Sequence, residues 1–204
     1  MAFPDIHPAL ARALASQGYS EPTPVQAAVL AAETAGRDLL VSAQTGSGKT
    51  VAFGLAAGPT LLEDAERFGA PGAPLALAIA PTRELAMQVA RELGWLYAEA
   101  GAKVETCVGG MDPRREQRAL AAGCHILVGT PGRLKDHLER GNLDLSNLRV
   151  LVLDEADEML DMGFREDLEE ILDSSPVNRR TLLFSATIAR EIAALATEVM
   201  EIGA

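Results

Sequence analysis

Positive charge is in short supply in this chain: 18 lysines and arginines face 29 aspartates and glutamates over 204 residues, for a formal net charge of −11. Such a surface cannot coat a polyanion by bulk electrostatics, because that mode needs lysine and arginine to neutralise phosphates. Any contact with nucleic acid must be local. Most of the acid falls in helix-like stretches such as Glu166-Asp-Leu-Glu-Glu170 and reads as a solvated face. Cysteine is rarer still. Cys107 and Cys124 lie in or beside strand-like runs and read as small buried thiols, which sets aside a disulfide framework or a zinc cluster, leaves no disulfide partner to expect and favours the cytoplasm. Long apolar runs are missing too. The longest span five or six residues, far short of a membrane crossing, and Met1-Ala-Phe-Pro-Asp5 has neither the basic nor the apolar region of a signal peptide, so no membrane partner is expected. His7, His125 and His137 share no ligand spacing and receive no role.

What is present is the composition of a globular protein, 48% hydrophobic and 23% charged, in a length that fills one core and falls short of two. A single domain over residues 1–204 follows. Its most distinctive stretch is Ala43-Gln-Thr-Gly-Ser-Gly-Lys-Thr50, which sits between an apolar run and a helix-like segment. Such a loop holds phosphate. Around Thr45 and Ser47, the glycines Gly46 and Gly48 let the backbone turn its N–H groups toward an anion; Lys49 reaches the β- and γ-phosphates, and the Thr50 hydroxyl can ligate Mg²⁺. The helix that follows aims its positive end at the same anion. The general pattern wants glycine where this chain has Ala43.

Ile6, Leu10, Ala13 and Leu14, with Pro8 near the start and Gly18 just past the end, predict a short helix over residues 6–17; a second helix follows Gly18-Tyr-Ser-Glu-Pro-Thr-Pro-Val-Gln26 and runs to about Glu33. Six apolar runs of strand length come next, at residues 39–41, 75–80, 104–108, 126–128, 150–153 and 182–184, with helical patterns between most of them. Strands apolar on both faces that alternate with amphipathic helices predict an α/β fold with a mostly parallel sheet covered on both sides. The unusual polar residues all follow a run: the glycine loop, then Pro81-Thr-Arg-Glu-Leu-Ala86, Gly109-Gly110, Thr130-Pro-Gly-Arg133, Asp154-Glu-Ala-Asp157 and Ser185-Ala-Thr187. Ligands of open parallel sheets bind outside the carboxyl ends of the strands, so these segments are expected to share one edge of the molecule. Asp154 stands where the second Mg²⁺-holding carboxylate of a phosphate-loop enzyme belongs, and Glu155 beside it can orient or deprotonate an attacking water.

These segments, in this order, resemble the signature set of the DEAD-box RNA helicases. Asp154-Glu-Ala-Asp157 spells the family's name, residues 18–26 resemble its Q motif, residues 43–50 motif I, residues 81–86 motif Ia, Gly109-Gly110 and residues 130–133 the Ib group, and residues 185–187 motif III. The family's motif I usually carries Ala at the position of Ala43. The resemblance implies a RecA-like three-layer α/β/α sandwich, with residues 1–36 as Q-motif region and 37–204 as core. It also implies ATP and Mg²⁺ as cofactors, Lys49, Asp154 and Glu155 as catalytic residues, and Thr50 and Asp154 as the metal ligands. Gln26 would read the adenine edge, an amide offering one donor and one acceptor to N6 and N7, while Tyr19 and Phe3 would flank the base. Asp157 would be hydrogen-bonded to the hydroxyls of Ser185 and Thr187, coupling hydrolysis to the rest of the domain. Pro81, Thr82, Arg83, Gly109, Gly110, Thr130, Gly132 and Arg133 would hold the RNA backbone, without reading sequence.

Family members carry a second helicase domain with arginines that reach the γ-phosphate, and no such segment is present through residue 204; a finger of that kind is worth about 10³–10⁵ in rate. This chain is therefore expected to act as an amino-terminal half that binds nucleotide but hydrolyses it feebly alone, with the second domain of the same protein as partner. Two rivals stay open: a nucleotide-dependent binding module that never unwinds, opposed by the intact Glu155 and residues 185–187, and a DNA-directed translocase, separated by stimulation with RNA against DNA.

Overall fold

The continuous apolar runs at residues 76–79, 126–128 and 150–153 lie inside the sheet, where both of their faces are covered. A computed structural model describes residues 2–200, so residues 201–204, the end of the expected core, lie outside the described residues. The strands are β1 (Leu39–Ser42), β2 (Ala76–Ile79), β3 (Val104–Cys107), β4 (Ile126–Gly129), β5 (Val150–Leu153) and β6 (Arg180–Ser185). They pair in the order β1-β6-β5-β2-β4-β3 and every ladder is parallel. Among the described residues only an isolated bridge, Gly72 to Cys124, is antiparallel. Strands β2, β4, β5 and β6 are buried at each position, whereas the edge strands β1 and β3 are only partly covered.

Side-chain alternation along the strands divides the core in two. Ala78, Val128, Val152 and Phe184 face one layer, where they meet Leu10 of α1 (Pro8–Ser16), Val29 of α2 (Pro24–Val29), Phe53 of α3 (Lys49–Leu62) and Leu93 of α4 (Arg83–Leu96). Their neighbours Leu77, Leu127, Leu151 and Leu183 face the other, against Leu120 of α5 (Pro113–Ala122), Leu134 of α6 (Pro131–Glu139), Met159 of α7 (Ala156–Asp161), Leu168 of α8 (Arg165–Asp173) and Leu195 of α9 (Arg190–Val199). Burying side chains of this size stabilises by about 1.5–3 kcal/mol each, and the alternation fixes strand register, because a one-residue slip would exchange the two layers. The result is the α/β/α sandwich.

Two boundaries differ from the sequence reading. The second helix stops at Val29 instead of near Glu33, and a 3₁₀ turn, Ala32–Thr34, follows. The Thr34 hydroxyl lies 2.8 Å from the Val29 carbonyl and 2.7 Å from that of Ala31, so a side chain takes over acceptors that a further helical turn would have used. Strand β6 starts two residues early, at Arg180, although arginine is a poor prospect for a buried strand. Its guanidinium donates to the carbonyls of Arg37, Ala56 and Thr34, which offsets the cost of burial.

The carboxyl ends are in step: Ser42 lies opposite Ser185, Leu183 opposite Leu153, Ile79 opposite both Leu153 and Gly129, and Gly129 opposite Cys107. The six polar segments therefore leave the sheet along one edge. Strand order also sorts them. The glycine loop and the segments after Leu153 and Ser185 leave neighbouring strands β1, β6 and β5, while those after Ile79, Gly129 and Cys107 leave β2, β4 and β3. Chain order does not reveal this division.

Candidate active site

Gly48 caps α3 with φ +78°, and Gly46 before it has φ +83°, both in the left-handed region that L side chains avoid. Space is short as well. A Cβ on Gly48 would lie 2.5 Å from Gln26 Nε2 and 3.2 Å from the Thr23 side chain. Gly48→Ala combines left-handed strain of about 1–2 kcal/mol with displacement of Gln26, and is expected to weaken binding of a fluorescent adenine nucleotide about tenfold in titration.

The loop carries Lys49 into the first turn of α3, where its side chain meets two acids. Nζ is 3.0 Å from Asp154 Oδ1 and 3.1 Å from Glu155 Oε1, and the Thr45 hydroxyl donates to the same Glu155 oxygen at 2.9 Å. Asp154 is fully buried and Lys49 is 7% exposed. The Lys49 contact is one of charge by distance, since neither Asp154 oxygen receives a directed hydrogen bond. Burial pushes the Asp154 carboxyl above the usual carboxylate range, Lys49 offsets part of that, and the Glu155 charge adds to it. A buried carboxylate with oxygens left over suits a hard divalent cation, and Thr50, the residue after Lys49 in the first turn of α3, has the hydroxyl type such an ion takes. Glu155 holds φ 52° and ψ 53°, one of two non-glycine residues at positive φ among the described residues. Such strain is favoured where the fold dictates an abrupt reversal, here from β5 directly into α7.

Gln26 is nearly buried and already bonded. Its Oε1 accepts from the Thr23 N–H at 3.0 Å and its Nε2 donates to the Gly48 carbonyl at 3.1 Å, which ties α2 to the glycine loop. An amide keeps a second hydrogen and a second lone pair. A cavity of about 790 Å³ opens beside the loop, lined among others by Thr23, Val25, Ala43, Gln44, Gly46 and Ser47. Neither Tyr19 nor Phe3 lines it: Tyr19 stacks on Trp95 with centroids 5.8 Å apart, and Phe3 packs on the core. In the Asp157 group, the Thr187 N–H and hydroxyl both lie 3.2 Å from Asp157 Oδ2, whereas the Ser185 hydroxyl donates to the Thr187 carbonyl at 2.7 Å. Ser185 thus joins Asp157 through Thr187, with no bond of its own.

The second group gathers around Met111. Pro81 leads into Thr82, which caps α4 by accepting the Leu85 N–H at 3.2 Å and so sets Arg83 at the helix start. Arg83 Nη2 is 3.5 Å from Met111 Sδ, and its guanidinium lies against Gly110, whose φ of +83° is in the region L side chains avoid: a Cβ there would lie 2.6 Å from Arg83 Nη1 and push that side chain aside. Thr130 precedes α6, Gly132 lies in its first turn, and Arg133 Nη1 donates to the Met111 carbonyl at 3.2 Å and to Glu116 Oε1 at 2.7 Å. Arg83 and Arg133 therefore reach the Gly109-Gly110 loop from two helices. Glu116 and His137, which join this group, carried no signal in the sequence.

The sequence profile described as DEAD/DEAH box helicase matches residues 23–195. The ATP-dependent RNA helicase CshA of Limosilactobacillus reuteri is 44% identical over 191 residues, 94% of this chain and 37% of that protein. The DEAD-box ATP-dependent RNA helicase CshA of Bacillus licheniformis is 45% identical over 193 residues, covering 94% and 38%. The crystal structure of a DEAD box protein from the hyperthermophile Methanococcus jannaschii superposes with a TM-score of 0.86 at 36% identity, over 98% of this chain and 53% of that one. The chain thus spans well under half the length of the curated relatives it matches. A glycine loop whose lysine meets a buried aspartate and its half-buried glutamate neighbour, on a sheet of six parallel strands that superposes on a DEAD box protein, leads to one conclusion: this chain belongs to the DEAD/DEAH box helicase family.

Proposed function

We propose that this chain is the ATP-binding and RNA-gripping half of an ATP-dependent RNA helicase, joined in the full-length protein to a second helicase domain and working in the cytoplasm. The observation that carries the reading is the meeting of Lys49 with Asp154 and Glu155 at 3.0 and 3.1 Å, above a glycine loop with left-handed Gly46 and Gly48. Thr45, Gly46, Ser47 and Gly48 turn their backbone toward the triphosphate, and the Lys49 ammonium, a counter-charge to both acids, reaches its β- and γ-phosphates. Asp154 and Thr50 would hold a magnesium ion, which would supply neutralising charge to the phosphates. Glu155, held in place by the Thr45 hydroxyl, would orient the attacking water and accept its proton. Gln26 reads the adenine with the hydrogen and lone pair its internal bonds leave over, and Tyr19 and Phe3 flank the base only if the Tyr19 ring leaves Trp95.

Hydroxyls, helix starts and glycine N–H groups suit an anionic backbone and carry no base code, so the surface of Arg83, Gly109, Gly110, Thr130, Gly132 and Arg133, led by Pro81 and Thr82, binds RNA without reading sequence. The division of the sheet supports separate nucleotide and RNA sides, with Asp157, Thr187 and Ser185 beside the former as the coupling group. The test is nucleotide turnover by the full-length protein. RNA is expected to stimulate it strongly and DNA weakly; equal stimulation would favour a DNA-directed translocase, and none a nucleotide-dependent binding module.

A further inference from the structure

Outside the nucleotide site, Glu116 of α5 is a buried acid, 5% exposed, with three partners. Its Oε2 accepts the Val108 N–H at 2.8 Å, where β3 runs into Gly109-Gly110. Its Oε1 lies 2.7 Å from Arg133 Nη1 and 3.0 Å from Nε2 of the fully buried His137, both on α6. Asn142 Nδ2 lies 3.1 Å from the other ring nitrogen, Nδ1. With the amide donating there, His137 carries its proton on Nε2 and donates it to Glu116. One carboxylate thus ties the end of β3 and two residues of α6, and the same Arg133 nitrogen donates onward to the Met111 carbonyl.

Cys107 Sγ, a Glu116 oxygen and a His137 nitrogen lie within 4.8 Å of one another, the spacing of a metal site. Charge argues otherwise: the Arg133 cation already sits at 2.7 Å from the carboxylate, and burial holds the Cys107 thiol well above its ordinary range, so it stays protonated. The cluster is a hydrogen-bonded clamp.

We propose that Glu116, oriented by His137, is a positioning residue for RNA binding: its buried carboxylate locks Arg133 and the Gly109–Gly110 loop into the arrangement that Arg83 meets from the far side. This rests on the RNA surface assigned above. Loss of an interaction in such a coupled network changes binding by about two- to thirtyfold. Glu116 touches none of the residues on β1, β5 or β6, so nucleotide affinity is expected to stay put.

The experiment titrates this chain with a fluorescein-labelled single-stranded oligouridylate and, separately, with a fluorescent adenine nucleotide. Wild type is compared with Arg83→Ala, Glu116→Gln and Glu116→Ala. Glu116→Gln keeps the side chain's volume and one acceptor while removing the charge that holds Arg133, so it serves even where Glu116→Ala fails to fold. The expected result is weaker RNA binding in Arg83→Ala and in Glu116→Gln, about tenfold in the latter, with nucleotide affinity within twofold of wild type. RNA binding lost in Arg83→Ala but unchanged in Glu116→Gln would overturn the positioning role and leave the RNA surface standing. Unchanged binding in Arg83→Ala would sink the RNA surface itself, and the role with it. A parallel fall of both affinities in Glu116→Gln would mark it as a general packing residue and also overturn the proposal.

Discussion

Glu155→Gln is expected to leave ATP bound and to slow RNA-stimulated turnover of the full-length protein by about 10²–10⁴, the range for removing a positioned general base. The isostere keeps its place. Its amide can still accept the Thr45 hydroxyl, now 2.9 Å from Oε1, and the left-handed backbone at φ 52° belongs to the turn between β5 and α7 more than to the side chain. What is lost is the charge that holds the Lys49 ammonium at 3.1 Å and the basicity that takes a proton from water. Binding is therefore spared and chemistry is not. Single-turnover hydrolysis with saturating RNA reads this directly, beside a nucleotide titration of the same variant. Turnover within threefold of wild type would remove Glu155 from the chemical step.

Asp154→Asn is expected to raise the stability of the ligand-free chain while abolishing the stabilisation given by magnesium and ATP. Burial raises the Asp154 pKa in the folded state above its unfolded value. A raised carboxylate binds its proton more tightly when folded, so stability falls as pH climbs from the ordinary carboxylate range through the raised value, and the ionised form is a net cost at neutral pH. Asparagine removes that cost, and Lys49 keeps Glu155 as its partner. The melting temperature at neutral pH should rise by about 2–4 °C, and the fall in stability across that pH window should flatten. In wild type, ATP with Mg²⁺ at a hundred times its dissociation constant adds about 2.7 kcal/mol; the variant should show almost none of it. A lower melting temperature with an intact magnesium-dependent shift would mean that Asp154 is a structural acid. The prediction is a trade of stability for ligand binding, the pattern of a residue buried for function.

The sheet was readable because its inner strands are buried on both faces: residues 126–128 and 150–153 are continuous apolar runs that became β4 and β5 almost unchanged. The turn of the glycine loop into α3 was readable because its requirements are local, two glycines and a lysine at a helix start. Contacts between residues distant in the chain were not readable. Arg180 begins a buried strand because carbonyls 124 to 146 positions away accept its guanidinium, which no window of sequence displays. His137, given no role from spacing, is fully buried and meets Glu116 across 21 positions. Tyr19 shows the same limit: the resemblance sets it beside the adenine, and in the fold that ring stacks on Trp95, 76 positions along the chain. The sorting of the motifs into two groups along the sheet edge depends on strand order, which periodicity cannot supply.

Convergence of Lys49, Thr50 and Asp154 on one magnesium-bearing triphosphate is tested most directly by calorimetric titration of the chain with ATP, with Mg²⁺ and with a chelator, for wild type and Lys49→Ala. The expected result is binding that depends on Mg²⁺ in wild type and weakens at least about tenfold in the variant, whose two acids, left without the ammonium at 3.0 and 3.1 Å, would repel the phosphates. Equal affinity for the two proteins, or affinity indifferent to Mg²⁺, would contradict it.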